Sequence, residues 1–260
     1  METDVVRHYS YGVETSRLAR TPHGGLEFLR TQELLRRVLP PRAKVLDVGG
    51  GTGVHAEWLA RDGHTVHLID VVAAHATAAV NLPGVTAVVG DARELPVVDN
   101  SMDVVLMLGP LYHLIDAADR AKALAEGVRV LRPGGVLAAA GISRYLSILE
   151  TGTDGTLDAD LTPSIEAVIA TGRYDGHVGF VSTHWHTADE LRAEVQSCGL
   201  DDVEVYGVEG PAWPALDVAG ASEFAARADA ALRCARLVER DPLLINASAH
   251  LLALGMKTTG

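Results

Sequence analysis

Cysteine is nearly absent from this chain. Cys198 and Cys234 are the only two among 260 residues, and they form neither a CxxC pair nor a disulfide framework. Basic residues are also in deficit: 22 Lys and Arg stand against 34 Asp and Glu, a net charge of −12. No long Lys/Arg run occurs. Nonspecific binding to nucleic acid needs a clustered basic surface, so that class is disfavoured and a small or uncharged partner is favoured. No apolar run reaches transmembrane length. The opening METDVVRHYS is too polar for a signal peptide, so a cytoplasmic protein with no membrane partner is expected. What is abundant is apolar residues, at 48%. That is enough to bury a substantial core without metals or cross-links.

Residues 24–39 carry apolar positions at helical spacing, and Pro40 and Pro41 stop that run. Strand patterns follow at 43–48, 64–70, 85–91, 101–109 and 136–142. Helical patterns lie between them at 54–63, 71–81 and 117–131, with RPGG (132–135) read as a turn. Strands separated by helices imply a doubly wound, mostly parallel sheet. Periodicity weakens from Arg144 to His186, apart from a helix-like SIEAVIA, as expected of a lid inserted after the fifth strand. A capped helix (187–199), a helix at 222–240 and a final pair of strands at 203–208 and 251–257 complete the pattern. The expectation is one α/β domain over 1–260 with a Rossmann-like, mostly parallel seven-stranded sheet. Its core covers 40–142 and 187–260, a helical cover spans 1–39, and the lid spans 143–186.

The sharpest signal is VLDVGGGTG (45–53). Gly49, Gly51 and Gly53 form GxGxG between a strand and a helix, where the backbone must turn tightly and let a ligand come close. A dinucleotide fingerprint needs a third glycine at position 54, which is Val54. Asp47 precedes the turn. A carboxylate there suits an ammonium group and would repel a pyrophosphate, which favours a nucleotide bearing an amino acid. Asp70 ends the second strand, where an acid can accept from both ribose hydroxyls, with Val71 beside it. Asp91 ends the third strand, where it can accept from an adenine amino group, with the Ala92 amide against the ring. Helix N-caps or turns are the alternative roles for both acids.

These ordered motifs resemble the class I S-adenosyl-L-methionine (SAM)-dependent methyltransferases, especially the small-molecule branch with a UbiE-like or methyltransferase-11-type core. The resemblance covers roughly residues 40–142. It includes SMDVVLMLGPLYHL (101–114) and VLRPGGVL (130–137). It implies SAM as methyl donor and S-adenosylhomocysteine as product. It puts Gly49 and Gly51 beneath the methionine part and Leu108 beside it. Arg17, in YGVETSRL, matches an N-terminal cover and pairs with the SAM carboxylate, or is a surface arginine. Tyr9 and Tyr11 would close the chamber from the same segment.

GPLYHL (109–114) is the lip between donor and acceptor in that family. The chain lacks the [D/N/S]PP[Y/F] found where some branches methylate planar amines. His113 is the candidate general base or orienting group, or a histidine packing at a helix start. Tyr112 packs on substrate or belongs to the core. The lid offers Arg144, Tyr145, His184 and His186 as pocket wall. His184-x-His186 also hints at metal, but no ligand set with zinc spacing accompanies it, so no metal is expected. Glu209 and Trp213, in EGPAW, are further candidate substrate contacts, whereas His250 before the last strand reads as structural. The expected activity is methylation of an O, N or C nucleophile of a small molecule by a monomer or homodimer. A tRNA-base methyltransferase and a non-catalytic SAM-binding regulator are the alternatives.

Overall fold

Thr21 starts the first helix described here, α1 (Pro22–Arg36), by accepting the Gly24 amide on its side chain at 3.2 Å. Pro22 occupies the first turn, where its missing N–H costs nothing. The computed structural model describes Tyr9 and residues 21–177 and 180–258. Tyr11 and Arg17 therefore lie outside the described residues. The buried face of α1 carries Leu26, Arg30, Leu34 and Leu35.

Seven strands form one sheet: β1 (Lys44–Val48), β2 (Thr65–Asp70), β3 (Val85–Val89), β4 (Met102–Met107), β5 (Leu131–Ile142), β8 (Leu200–Gly207) and β9 (His250–Lys257). Their order is β3-β2-β1-β4-β5-β9-β8. Pairing is parallel from β3 through β5, and β9 runs antiparallel to both neighbours. The sheet is thus mostly parallel and seven-stranded, as expected. Its central strands are apolar on both faces, and the two faces carry separate cores. Leu46, Val105 and Leu137 belong to one, and Val45, Val104 and Leu106 to the other. Helices α2 (Val54–Arg61), α3 (Ala73–Ala79), α5 (Ala117–Val130) and α8 (Ala188–Ser197) flank it. Thr187 and Glu190 complete the capping box at the start of α8.

The RPGG segment is part of β5 rather than a free turn. Met102 pairs with Leu131 but Val104 pairs with Val136, so the extra residues bulge out of the ladder. Arg132 anchors the bulge through an ion pair with Asp103 at 2.8 Å.

The lid has more structure than its weak periodicity suggested. It holds α6 (Leu146–Asp154), α7 (Thr162–Thr171) and a small hairpin of β6 (Arg173–Tyr174) with β7 (Thr183–His184). Thr and Gly give α6 low propensity, and packing compensates. Leu146 and Leu149 meet Leu26 and Trp213 in a separate apolar cluster. Trp213 opens α9 (Trp213–Ala219), and α10 (Phe224–Val238) follows.

Candidate active site

Strand order reverses between β1 and β4, and in open α/β sheets ligands bind at the carboxyl edge at such a point. A cavity of about 500 Å³ opens there. Gly49, Gly51, Asp70, Val71, Asp91, Ala92, Tyr112, His113 and Tyr9 all line it. The sequence thus brought nine of its candidates to one cavity. A second cavity of about 60 Å³ adjoins it and is lined by Asp47, Leu108, Glu27 and His250 among others. Gly49, Gly109 and Tyr112 line both.

The turn after β1 is held open by its glycines. Gly49, Gly51 and Gly53 have φ of 69°, 58° and 91°. A Cβ on Gly50 would come within 2.5 Å of Asp47 Oδ2. Gly53 takes the N-cap position of α2 and packs against Leu82 rather than lining the large cavity. The Gly51 amide donates to Asp70 Oδ2 and the Val72 amide to Asp70 Oδ1, both at 2.8 Å. Asp70 is therefore a clasp between β2 and the glycine turn. The α3 N-cap is Val72, without a side-chain cap. Carboxylate oxygens accept more than one hydrogen bond, so this clasp keeps capacity for a diol.

Asp47 is 1% exposed. Among the described residues no hydrogen-bond partner reaches its Oδ2. Burial, aided by the charge of Asp70, pushes its carboxyl up to about 7. A buried orphaned oxygen beside a glycine cradle suits a ligand ammonium. Three acids at successive strand ends would repel a diphosphate. The residues therefore fit the amino-acid-bearing nucleoside SAM. Gly49–Gly51 would hold its methionine part, Asp47 its ammonium and Asp70 its ribose.

Among the polar residues lining the cavity, sequence reasoning missed two, Arg93 and His75. Arg93 pairs with Asp91 at 2.6 Å and with Asp119 at 2.9 Å. The Arg93 guanidinium holds the Asp91 carboxyl below the usual range. His75 Nδ1 stands 3.2 Å from Asp70 Oδ1. The signals available were position alone: Arg93 two residues after Asp91, and His75 in the first turn after Asp70.

Helix α4 (Pro110–His113) carries the lip. The Tyr9 hydroxyl is hydrogen-bonded to His113 Nε2 at 2.9 Å. Tyr112 and Phe180 add ring contacts to the same imidazole, at 4.7 and 5.8 Å.

The remaining described candidates line neither cavity. Arg144 pairs with Glu190 and donates to the Trp185 and Ile169 carbonyls, both at 3.3 Å. Tyr145 is the N-cap residue of α6. Trp213 is fully buried, and its Nε1 donates to the Ala247 carbonyl. The rings of His184 and His186 meet edge to face at 4.6 Å. Burial, with His186 and Arg120 nearby, pushes His184 down to about 3. Glu194 supplies the third donor that sequence spacing had not revealed, and the three groups lie within 4.8 Å of one another. The Arg120 guanidinium already engages both Glu194 oxygens, at 2.7 and 2.9 Å. A buried cation at that carboxylate opposes a metal ion.

A mostly parallel sheet with a glycine turn and a row of acids at its switch point has the architecture of the Rossmann-like class I methyltransferase fold. The methyltransferase domain family matches residues 46–139. Methyltransferase GfsG of Streptomyces halstedii is 34% identical over 236 residues, covering 84% of this chain and 76% of that protein. A SAM-dependent methyltransferase from Thermotoga maritima superposes with a TM-score of 0.63 at 19% identity, covering 99% of this chain and 100% of that one. The Burkholderia thailandensis 1,6-didemethyltoxoflavin-N1-methyltransferase, solved with 1,6-didemethyltoxoflavin and S-adenosylhomocysteine, gives 0.62 at 18%, over 99% and 87%. The chain belongs to the class I SAM-dependent methyltransferases.

Proposed function

We propose that this enzyme methylates an O, N or C nucleophile of a small molecule, within the methyltransferase-11-type, UbiE-like branch. The observation that carries the donor half is the buried, orphaned Asp47 oxygen beside the glycine cradle, with Asp70 and Asp91 at the next two strand ends. SAM supplies an electrophilic methyl group on a sulfonium. The protein's task is to align the nucleophile and exclude water. Tyr9 and Tyr112 wall the chamber, and His113, tied to the Tyr9 hydroxyl, orients the acceptor or accepts its proton. Arg144, Tyr145, His184 and His186 hold the lid around that chamber. The net charge of −12 supports a small acceptor over tRNA. Among the described residues no helix is long and apolar enough to cross a membrane.

Calorimetric titration with S-adenosylhomocysteine tests the donor half. Binding at micromolar Kd, about −8 kcal/mol, is expected. Asp70→Asn should weaken it roughly tenfold or more, as loss of a charge-assisted hydrogen bond does. No binding by the wild type would defeat the methyltransferase reading. Transfer of tritiated methyl from SAM to fractionated metabolites then identifies the acceptor.

A further inference from the structure

The lip helix α4 has only four residues. A single turn leaves its last carbonyls without intrahelical donors, and so short a helix does not hold itself in water. Neither end carries a side-chain cap. Yet this turn sets Tyr112 and His113 against the donor cavity. Its position must be fixed from outside.

Two sets of contacts do so. Tyr112 packs with Ile142, Tyr174 and Trp185 at the root of the lid. Where the chain leaves α4, one guanidinium collects it. Arg120 Nη1 donates to the Leu114 carbonyl at 2.9 Å and to the Ile115 carbonyl at 2.8 Å. Leu114 itself lines the donor cavity. The rest of the fork faces Glu194 on α8. Nη2 donates to Oε1 at 2.7 Å and Nε to Oε2 at 2.9 Å. His186 Nε2 lies 3.3 Å from the same Oε2, and the His186 amide donates to the Ile142 carbonyl at 2.8 Å. The lip is thus tied to α5, α8 and the end of β5 through a single side chain.

Helix α5 does not account for a cation at this position. Arg120 is its fourth residue, at the end where the backbone dipole favours acids. The residue is 3% exposed, and a buried charge is costly unless it is paired. Burial alone would raise the Glu194 carboxyl, but hydrogen bonds from His186 and Arg120 outweigh it and hold that group down at about 2. The partner charge is therefore present at neutral pH. Glu194 compensates the buried cation and leaves Nη1 for the two carbonyls.

Building on the methyltransferase reading, we propose that Arg120, locked by Glu194, is a positioning residue for methyl transfer. It fixes the end of α4 and so sets His113 and Tyr112 toward the acceptor. Arg120 lines neither cavity. Its effect reaches the reaction through the lip.

Hydrogen exchange followed by mass spectrometry on the free full-length protein tests this without knowledge of the acceptor. In Arg120→Lys the charge remains, but an ammonium lacks the fork that joins two carbonyls to both carboxylate oxygens. Exchange over 111–116 should rise about tenfold or more, as loss of a hydrogen bond to a charged group implies, with β1 and β2 unchanged. Glu194→Gln keeps the shape and removes the charge, and it should loosen the same segment. In Arg120→Ala, free guanidinium should restore slow exchange over 111–116, and ammonium at the same concentration should not. S-adenosylhomocysteine affinity should stay within about threefold in Arg120→Lys and Glu194→Gln, because Asp47, Asp70 and the glycine turn are intact. At saturating SAM, transfer of tritiated methyl should fall about a hundredfold in Arg120→Lys, the cost of a misplacement of about 1 Å. Wild-type exchange over 111–116 in both Arg120→Lys and Glu194→Gln defeats the proposal. Equal loosening of β1 and β2 would make Arg120 a residue of the fold and overturn it as well, as would transfer at the wild-type rate from a loosened lip. Exchange at the lip is read without ligand, so its failure is distinct from failure of the wild type to bind S-adenosylhomocysteine.

Discussion

Asp47 has two conflicting requirements. Folding buries its carboxyl beside the charge of Asp70, which together raise it from 3.8 to about 7. Ligand binding needs it ionised to meet an ammonium. For an acid with a raised folded value, the native state keeps a proton that the unfolded chain releases. Stability from this group therefore falls as pH rises from about 4 to about 7. Asp47→Asn should remove that slope and melt higher than the unliganded wild type at pH 8. The same variant should bind S-adenosylhomocysteine about tenfold more weakly and lose the gain in affinity that wild type shows as pH rises through 7. Thermal melts and calorimetry at pH 5 and pH 8 check both signs. An Asn variant with wild-type affinity at pH 8 would remove Asp47 from the ammonium site.

Elements were legible in proportion to how local their cause is. All seven sheet strands were anticipated, since buried strands, parallel or antiparallel, are written as short apolar runs between glycine and proline punctuation. Helix α8 was legible because its capping box is written in four residues. Helices α6 and α9 were not, because Leu146, Leu149 and Trp213 are ordered by one another across the chain rather than by local spacing. The candidate site divides the same way. The acids at strand ends were legible one by one, whereas the bond from Tyr9 to His113 joins residues 104 apart and has no sequence signature. The glycine turn shows how a motif residue can serve an element rather than a ligand. Gly53 has φ of 91° and its missing Cβ leaves room for Leu82. Gly53→Ala should destabilise the fold by about 1–2 kcal/mol through left-handed strain. Urea unfolding reads that cost, and it should exceed any change at Gly63, which has a similar φ but nothing within 4 Å only by what repacking Leu82 requires.

At the scale of the whole molecule, the carboxyl edge is split between the donor half and a lid that is tied to the sheet by the Ser143–His186 bridge, by packing of Tyr174 and Trp185 near Ile142 and by polar side chains. Arg144 is the main tie among the described polar contacts of its segment. It leaves the end of β5, reaches the α7 carboxyl end at Ile169, the hairpin at Trp185 and α8 at Glu190. One guanidinium, 11% exposed, thus joins three separate elements. Its fixed fork of donors is what a Lys could not reproduce. Removing it leaves the lid's apolar pairs, chiefly the stacked Tyr174 and Trp185, but frees the segment to open as a unit. Arg144→Ala should raise amide exchange over 162–186 by an order of magnitude or more, about 1.4 kcal/mol of local stability, with exchange in β1 and β4 unchanged. S-adenosylhomocysteine affinity should stay within about twofold, because Arg144 lines neither cavity. Hydrogen exchange followed by mass spectrometry separates the two halves. Equal loosening of the sheet would show that Arg144 holds the fold rather than the lid, and a large loss of affinity would place it back among the ligand-binding groups.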